Sequence, residues 1–599
     1  MPPGVPLLVF ATGVVTLALT TLVATLAPGM WVWGLSSARF VPTPWRWLWL
    51  LPLVALLPPL ERPLVGVAGR IGRSLAGRWG GPLAFAVAAM VAFGFADQIW
   101  FTGDFLQRLS TIELNAPVGN NYIGAMPIDW LLHAALPRLL LADPGTQAIV
   151  WLRSLGAIEC GLLALGARAW ARSLGLTGAE LTAGTMLVIL TGALAMFTGL
   201  GKPAGLMCVV AVATLVTGVQ VARGAGGTAR FGALVALGLL VHRSGVLLLP
   251  AWATASALAI AHERTRGRAR WLRLAPLALP VPVVAVAWRR LVSLTLFYDL
   301  PHHLNPRGSV TGQFVAGGWL GTLHLVDVAN AVLLLAPAFV LMLPVAAMTG
   351  PPAWRDPGER FRLSLVVPAL LVVTLVFPQQ GIFRDLDVFA PWTLLLEAIA
   401  VGALVARLPK GGARPAWLVR AALVVAAPGL ALVATFADPD AGLTRVRAFV
   451  SGPPHRDAAT RSLGWDFLIG PYVRRGRLDD AAACLREAIA LAPHRRLFLT
   501  WALIEARRGH PDQVAVAYGD MTRRWPDDAI GWYGLVGARL ALGDTAGRDS
   551  ALTRLAALVG DPGKRAELAR YRAEFPETWP GPPALLDTLL TGAARTTSR

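Results

Sequence analysis

Up to about residue 437 the chain alternates long apolar runs with short polar joints, and then the pattern changes. Thirteen segments are apolar enough to be predicted as bilayer-crossing helices: 5–27, 46–60, 82–98, 147–169, 182–200, 204–222, 231–241, 245–261, 274–292, 329–349, 363–377, 391–406 and 416–436. A spanning helix needs roughly 20 apolar residues, fewer where neighbours shield its ends. The pair 231–241 and 245–261 reads equally as a broken or re-entrant helix around His242-Arg243-Ser244-Gly245. Residues 5–27 follow a nearly uncharged N-terminus, which predicts a first membrane helix in place of a cleaved leader. The joint at 97–146 is unlike the others. Its stretch 97–138 mixes Asp97, Asp104, Arg108, Glu113 and Asp129 with aromatics, amides and prolines, and a connector of that length invites a functional reading.

Composition supports the division. The 599 residues are 55% hydrophobic and 15% charged, with mean hydropathy +0.57, too apolar for one soluble core. The expectation is an all-α protein: a polytopic membrane domain of about 13 helices over 1–437 and a helical domain over 438–599. Net charge is +19, and residues 1–437 hold 31 Lys+Arg against 16 Asp+Glu. Basic excess in a membrane portion sets topology, so no nucleic-acid partner is expected. Cys160, Cys208 and Cys484 stand far apart in no metal or disulfide spacing.

With the N-terminus inside, 20 of those 31 cations fall in inner loops and 11 outside. An odd number of spans then puts the C-terminal domain outside, together with loop 97–146. The outer side also collects Gly201-Lys202-Pro203, His242-Arg243, the loop 293–328 and the stretch 378–391 containing Arg384, Asp385 and Asp387. That asymmetry is the strongest functional signal in the sequence. High Ala, Gly, Arg and Pro content suggests a bacterium, and the expectation is then an inner or plasma membrane whose outer side is the periplasm or the cell exterior.

The run 465–493 resembles a tetratricopeptide repeat, with Trp465, Leu468, Tyr472, Gly476, Ala481, Leu485, Ala488 and Pro493 at that repeat's spacing. Gly476, Gly509 and Gly543 recur at steps of 33 and 34, and 562–590 reads as a degenerate fourth unit or capping helix. A protein or glycan partner on this domain is an open expectation.

Each candidate side chain has a plainer alternative. Asp104 is either a solvated aspartate paired to Arg108 one turn on, or a surface carboxylate that accepts a proton or binds a divalent metal (Mg or Mn). Asp97 ends a hydrophobic segment, where a lone charge is expensive, so it is partnered or functional. Asp129 follows Pro127 and is favoured as a helix N-cap. Glu113, Lys202, His242, Arg243 and Arg384 are candidate substrate contacts, the cations otherwise snorkelling toward lipid phosphate. Arg384-Asp385-Leu386-Asp387 is alternatively a self-neutralised turn, and His302 and His303 a solvated pair. Carboxylates and cations on one face suit a phosphate-bearing, lipid-tethered substrate. P-loop, HExxH and GxSxG signatures are absent, and Glu159 is nearly the only acid within a predicted span.

The order of these parts resembles the GT-C superfamily of integral-membrane glycosyltransferases, over about residues 80–436. The resemblance rests on an acidic residue opening a long outer loop (Gly103-Asp104 through Arg108) and a proline-led amphipathic run closing it (Pro127 to Leu140). Short paired helices with a cation at the turn follow, then an outer C-terminal domain. It implies sugar transfer from a polyprenyl-phosphate donor in the bilayer, with Asp104 as acid/base or metal carboxylate. Arg108, Lys202, Arg243 and Arg384 would be phosphate ligands. An O-antigen ligase or polymerase-like enzyme, and a non-enzymatic scaffold built on the repeats, remain the alternatives.

Overall fold

The computed structural model describes residues 4–102, 105–113, 126–199, 203–263, 267–299, 301, 321–350, 355–378 and 381–574. Every regular element among them is helical. The chain divides into two compact units, 1–455 and 456–599.

In the first unit seven helices are each long and apolar enough to cross a membrane. They are α1 (Val5–Leu26), α2 (Pro144–Ser173), α3 (Ala204–Ala222), α4 (Arg243–His262), α5 (Arg268–Tyr298), α6 (Leu386–Arg407) and α7 (Arg414–Ala437). Two bent pairs, Thr43–Leu56 with Pro58–Ala76 and Thr322–Leu335 with Pro337–Thr349, turn by 89° and 97° and raise the number to nine if each counts as one span. Hydropathy predicts thirteen spans; the described helices supply seven to nine. The shortfall has local causes. Gly80–Gly94, Gly178–Ile189 and Thr228–Val241 are shorter than a bilayer is thick. Helix Pro357–Leu375 opens on Glu359, Arg360 and Arg362. Thr228–Val241 stops at an extended His242, and α4, long enough to cross by itself, starts at the next residue.

The sharp bends are proline effects. Pro58 and Pro337 head the second member of each pair, and the residues before them, Leu57 and Ala336, leave the helical region. At the second bend the amides of Ala338 and Phe339 donate to Oε2 of Glu397 on α6, at 2.7 and 3.2 Å. A fully buried carboxylate thus satisfies a helix start that water cannot reach.

Burial grades from centre to rim. α6 and α7 are each 89% buried along their most apolar stretch, whereas α5 is 11% buried and presents Val286, Trp288 and Phe297 outward as a lipid-facing helix does. The indole of Trp170 on α2 donates to the Ala398 carbonyl of α6 at 2.7 Å, fixing the height of one against the other.

Chain direction gathers the starts of α2, α3, α4 and α6 and the ends of α1, α5 and α7 at one end of this bundle. Cross-links confirm it: the Asp97 amide donates to Thr198 O, the Gln98 amide to Phe436 O, and Arg445 to Trp33 O. The opposite end is laced by ion pairs, with Arg414 bidentate on Glu180, Arg420 on Glu61 and Arg223 on Asp356. Helix Pro439–Ser451 packs into this unit through Val446 and Phe449. The change of composition at 437 therefore marks the end of α7, and the compact units part eighteen residues later, between 455 and 456.

The second unit is a row of antiparallel helices: Ala458–Arg474, Leu478–Leu491, Arg495–Arg507, Pro511–Arg524, Ala529–Ala541, Thr545–Leu558 and Pro562–Glu574. Each of the first six helices packs on the next and Pro562–Glu574 packs on Ala529–Ala541; Trp465, Leu468, Tyr472, Ala481, Leu485 and Ala488 are buried. Gly476, Gly509 and Gly543 occupy the turn inside three successive pairs with φ of 68°, 75° and 70°, a region an L side chain adopts only under strain.

Candidate functional site

At the gathered end, the helix Gly80–Gly94 gives way to a tight turn. Asp97 is buried, and its Oδ1 accepts from the amides of Ile99 (2.6 Å) and Trp100 (3.0 Å). Trp100 has φ of 55°, a conformation costing on the order of 1 kcal/mol or more in a bulky residue. The carboxylate and the stacking of Trp100 on Phe105 (4.8 Å, 18°) hold it there. The turn delivers Phe101 beneath the Arg384 guanidinium, 5.9 Å from the ring centre, and against Phe383. Asp97 is therefore partnered, by the backbone it shapes.

Arg108 lies on the helix Phe105–Glu113, whose apolar side (Phe105, Leu109, Ile112) packs on Ala148 and Leu152 of α2. Its guanidinium meets Asp129 at 2.6 and 3.3 Å, and His133 Nδ1 reaches the same carboxylate at 2.8 Å. All three are buried. Met126, not Asp129, is the residue before the short helix Pro127–Trp130, so the N-cap expected of Asp129 is replaced by a buried ion pair. Burial pushes the Asp129 carboxyl up, but the hydrogen bond from His133 and the charge of Arg108 outweigh it and hold the carboxyl below its usual range. Arg108 thus serves to close the loop, and Glu113 at the end of its helix is exposed.

α2 has 30 residues, about 45 Å, against roughly 30 Å of hydrocarbon, and the loop helices pack on its first turns. Lower on α2 are two charges. Arg153 feels the charge of Asp97, and its Nε is buried without a hydrogen bond. Glu159 lies at the level where α3 begins: a Cβ on Gly205 would fall 2.2 Å from its Oε2. The charge of Asp129 acts on Glu159, and those of Glu159 and Asp387 on Cys208 of α3. Lys202, between Thr198 and α3, lies outside the described residues, as do Asp104, His302 and His303.

The third wall is aromatic. Phe383 stacks on Phe449 (3.8 Å, 7°), meets Trp33 edge-on at 5.1 Å, and lies 4.7 Å beneath the guanidinium of Arg445. Arg445 is 1% exposed and donates to Trp33 O, while the Trp33 indole donates to Asp327 at 2.8 Å. Asp385 and Asp387 are buried at the start of α6. His324 stacks on Phe377 at 3.8 Å with its Nε2 buried and unbonded. His242 Nδ1 accepts from the Ser244 amide (3.1 Å), and Arg243 covers Tyr298 of α5 at 5.3 Å.

The described candidates thus share one end of the bundle, and Arg384 packs on Phe101 of the turn that Asp97 shapes. Sequence reasoning missed Arg153, Glu159, Asp327 and Arg445. The first three are charges within or beside apolar runs, a signal available in the sequence; Arg445, beyond residue 437, reads as part of a soluble tail. Among the described residues no three His, Cys, Asp or Glu side chains gather as a metal site. No family model matches the chain, and no curated protein matches it.

Proposed function

We propose that the protein is a membrane glycosyltransferase that takes a sugar from a polyprenyl-phosphate donor, on the extracytoplasmic side. One observation carries this reading: acids and cations from five separate stretches (97–108, 129–133, 153–159, 384–387 and 445) meet at one end of an apolar bundle. A phosphate on a lipid needs cations at the membrane surface, and this reading assigns Arg153 and Arg384 to it. The acceptor hydroxyl attacks the anomeric carbon, the bond from that carbon to the phosphate oxygen breaks, and polyprenyl phosphate leaves. The hydroxyl proton passes to a carboxylate. Asp104 is assigned that role because Asp97 is already bonded to its own turn, which makes Asp97 a positioning residue. A divalent ion, which Asp104 would help to hold, would supply neutralisation of the donor phosphate.

The second unit is read as a short tetratricopeptide-like solenoid. Among its described residues Val516 and Leu542 are the large apolar side chains that stand exposed. The test is turnover of polyprenyl-phosphate hexoses by purified protein, with Asp104→Asn and Asp97→Asn. Asp104→Asn is expected to lower kcat by about 10²-fold or more with the fold intact. Turnover that survives this change removes Asp104 from the chemistry.

A further inference from the structure

We infer that the helix Glu61–Ala76 lies flat in the bilayer surface opposite the candidate site and binds anionic phospholipid headgroups through Arg62, Arg70 and Arg73, whatever reaction the far end performs. The chain reaches this end along α7, with Leu48 packed on Ala431 and Ala434, and turns by 89° at Pro58. It leaves along α2 as Gly80–Gly94, with Phe85 against Gly161. Between these legs the 16 residues extend about 24 Å, yet start, middle and finish all touch the same end of the bundle. Glu61 pairs with Arg420 at 2.9 Å, the Thr182 hydroxyl donates to Ala68 O at 2.7 Å, and Arg168 Nε donates to Leu75 O at 2.6 Å. Arg420 is the seventh residue of α7, Thr182 the fifth of Gly178–Ile189 and Arg168 the sixth from the end of α2. All three contacts therefore lie within about 10 Å of those helix ends. A crossing helix would carry its own two ends to different depths.

Three stripes of this helix face three surroundings. Ala68, Gly72 and Leu75, spaced i, i+4, i+7, are buried against the bundle. A Cβ on Gly72 would fall 1.8 Å from Gly178 O, so glycine is what lets the helix lie this close. One flank carries Leu64, Val67 and Ile71, the last two 45% and 46% exposed, an apolar surface suited to acyl chains. The other flank carries Arg62, Arg70 and Arg73, exposed and without a hydrogen bond or ion pair from their guanidinium groups among the described residues. The turn that follows repeats the division, with Arg78 over the ring of exposed Trp79 at 5.6 Å, an indole placed at headgroup level. Charge then selects the lipid. Glu61, the one acid of the helix, is committed to Arg420, so the arginine flank meets no acid of its own helix. It favours an anionic headgroup over phosphatidylcholine, whose ammonium opposes it. A soluble protein partner would need to cover both flanks, whereas a bilayer interface meets the apolar one with acyl chains and the basic one with phosphate.

Full-length wild type and the triple variant Arg62→Gln/Arg70→Gln/Arg73→Gln, in neutral detergent, are titrated with dioleoylphosphatidylglycerol or dioleoylphosphatidylcholine, and bound lipids are counted by native mass spectrometry. Phosphatidylglycerol is expected to bind the wild type more tightly than phosphatidylcholine, and to lose about fivefold in affinity for each charge removed. Equal affinity of the two proteins for phosphatidylglycerol overturns the proposal. So does displacement of the lipid by inorganic phosphate, which marks a site for soluble anions. The lie of the helix is read separately. Cys160, Cys208 and Cys484 are buried, so a thiol-reactive fluorophore reports on Ile71→Cys or Arg73→Cys in proteoliposomes of phosphatidylcholine and phosphatidylglycerol. Nitroxide-bearing lipids are expected to quench the label at 71 more than that at 73, and aqueous iodide the reverse. Both labels quenched only from water would mark a face turned to a soluble partner, and both only from lipid a crossing helix; either result overturns the proposal.

Discussion

Asp129 shows what a single carboxylate does at the mouth of this bundle. Buried against Arg108 and His133, it joins the two halves of the long joint 97–146, and removing one partner leaves an uncompensated charge. Arg108→Ala is expected to destabilise the detergent-solubilised protein by about 3–5 kcal/mol. A thermal melt that does not move would show the pair to be idle. The folded state holds the Asp129 carboxyl below its unfolded range, so its contribution is present above that range and is lost as pH falls through the folded value. The melting temperature is expected to drop on acidification below about pH 4, and less steeply in Asp129→Asn. A slope unchanged by the substitution would remove Asp129 from the acid response. Little of this was legible beforehand. Pro127 before Asp129 predicted a cap, a local signal, whereas the ion pair joins residues 21 apart through a fold that local pattern does not contain.

At the scale of the helix, the two sharp bends and the glycine turns follow from sequence in different ways. The segment 329–349 reads as one apolar span, yet Pro337 breaks it and Glu397, sixty residues later, caps the second half. Glu397→Leu removes the acceptor of two buried amides and is expected to cost about 2–4 kcal/mol; Glu397→Gln, which keeps an acceptor oxygen, should cost less. Equal losses would mean that the charge and not the capping matters. Apolar runs were found correctly because side-chain transfer to lipid is a local property. Their number as spans was not, because whether a run of 12 to 15 residues crosses alone or leans on longer neighbours depends on packing. The turn glycines were fully legible. Gly509→Val, forced to φ near 75°, should lose about 1–2 kcal/mol, read by loss of helical signal on heating. A Gly509→Val protein as stable as wild type would contradict the repeat geometry.

For the whole molecule, two compact units imply two folding units. A fragment of residues 456–599 is expected to melt cooperatively by circular dichroism; a fragment without helical signal would show that it needs residues 1–455. Composition located the change of character, since α7 ends where charge rises. It did not reveal that Arg445 and Phe449, just beyond, belong to the aromatic wall around Phe383. The joining of the polar clusters was legible only as a shared side, through the alternation of apolar runs. Which of them touch is a property of the bundle. The most direct measurement is hexose transfer from labelled polyprenyl-phosphate hexoses by wild-type protein in proteoliposomes, following release of polyprenyl phosphate. The account predicts stoichiometric release that requires Arg384 and Arg153 as well as Asp104. No release from any hexose donor, or release indifferent to both arginines, would contradict it.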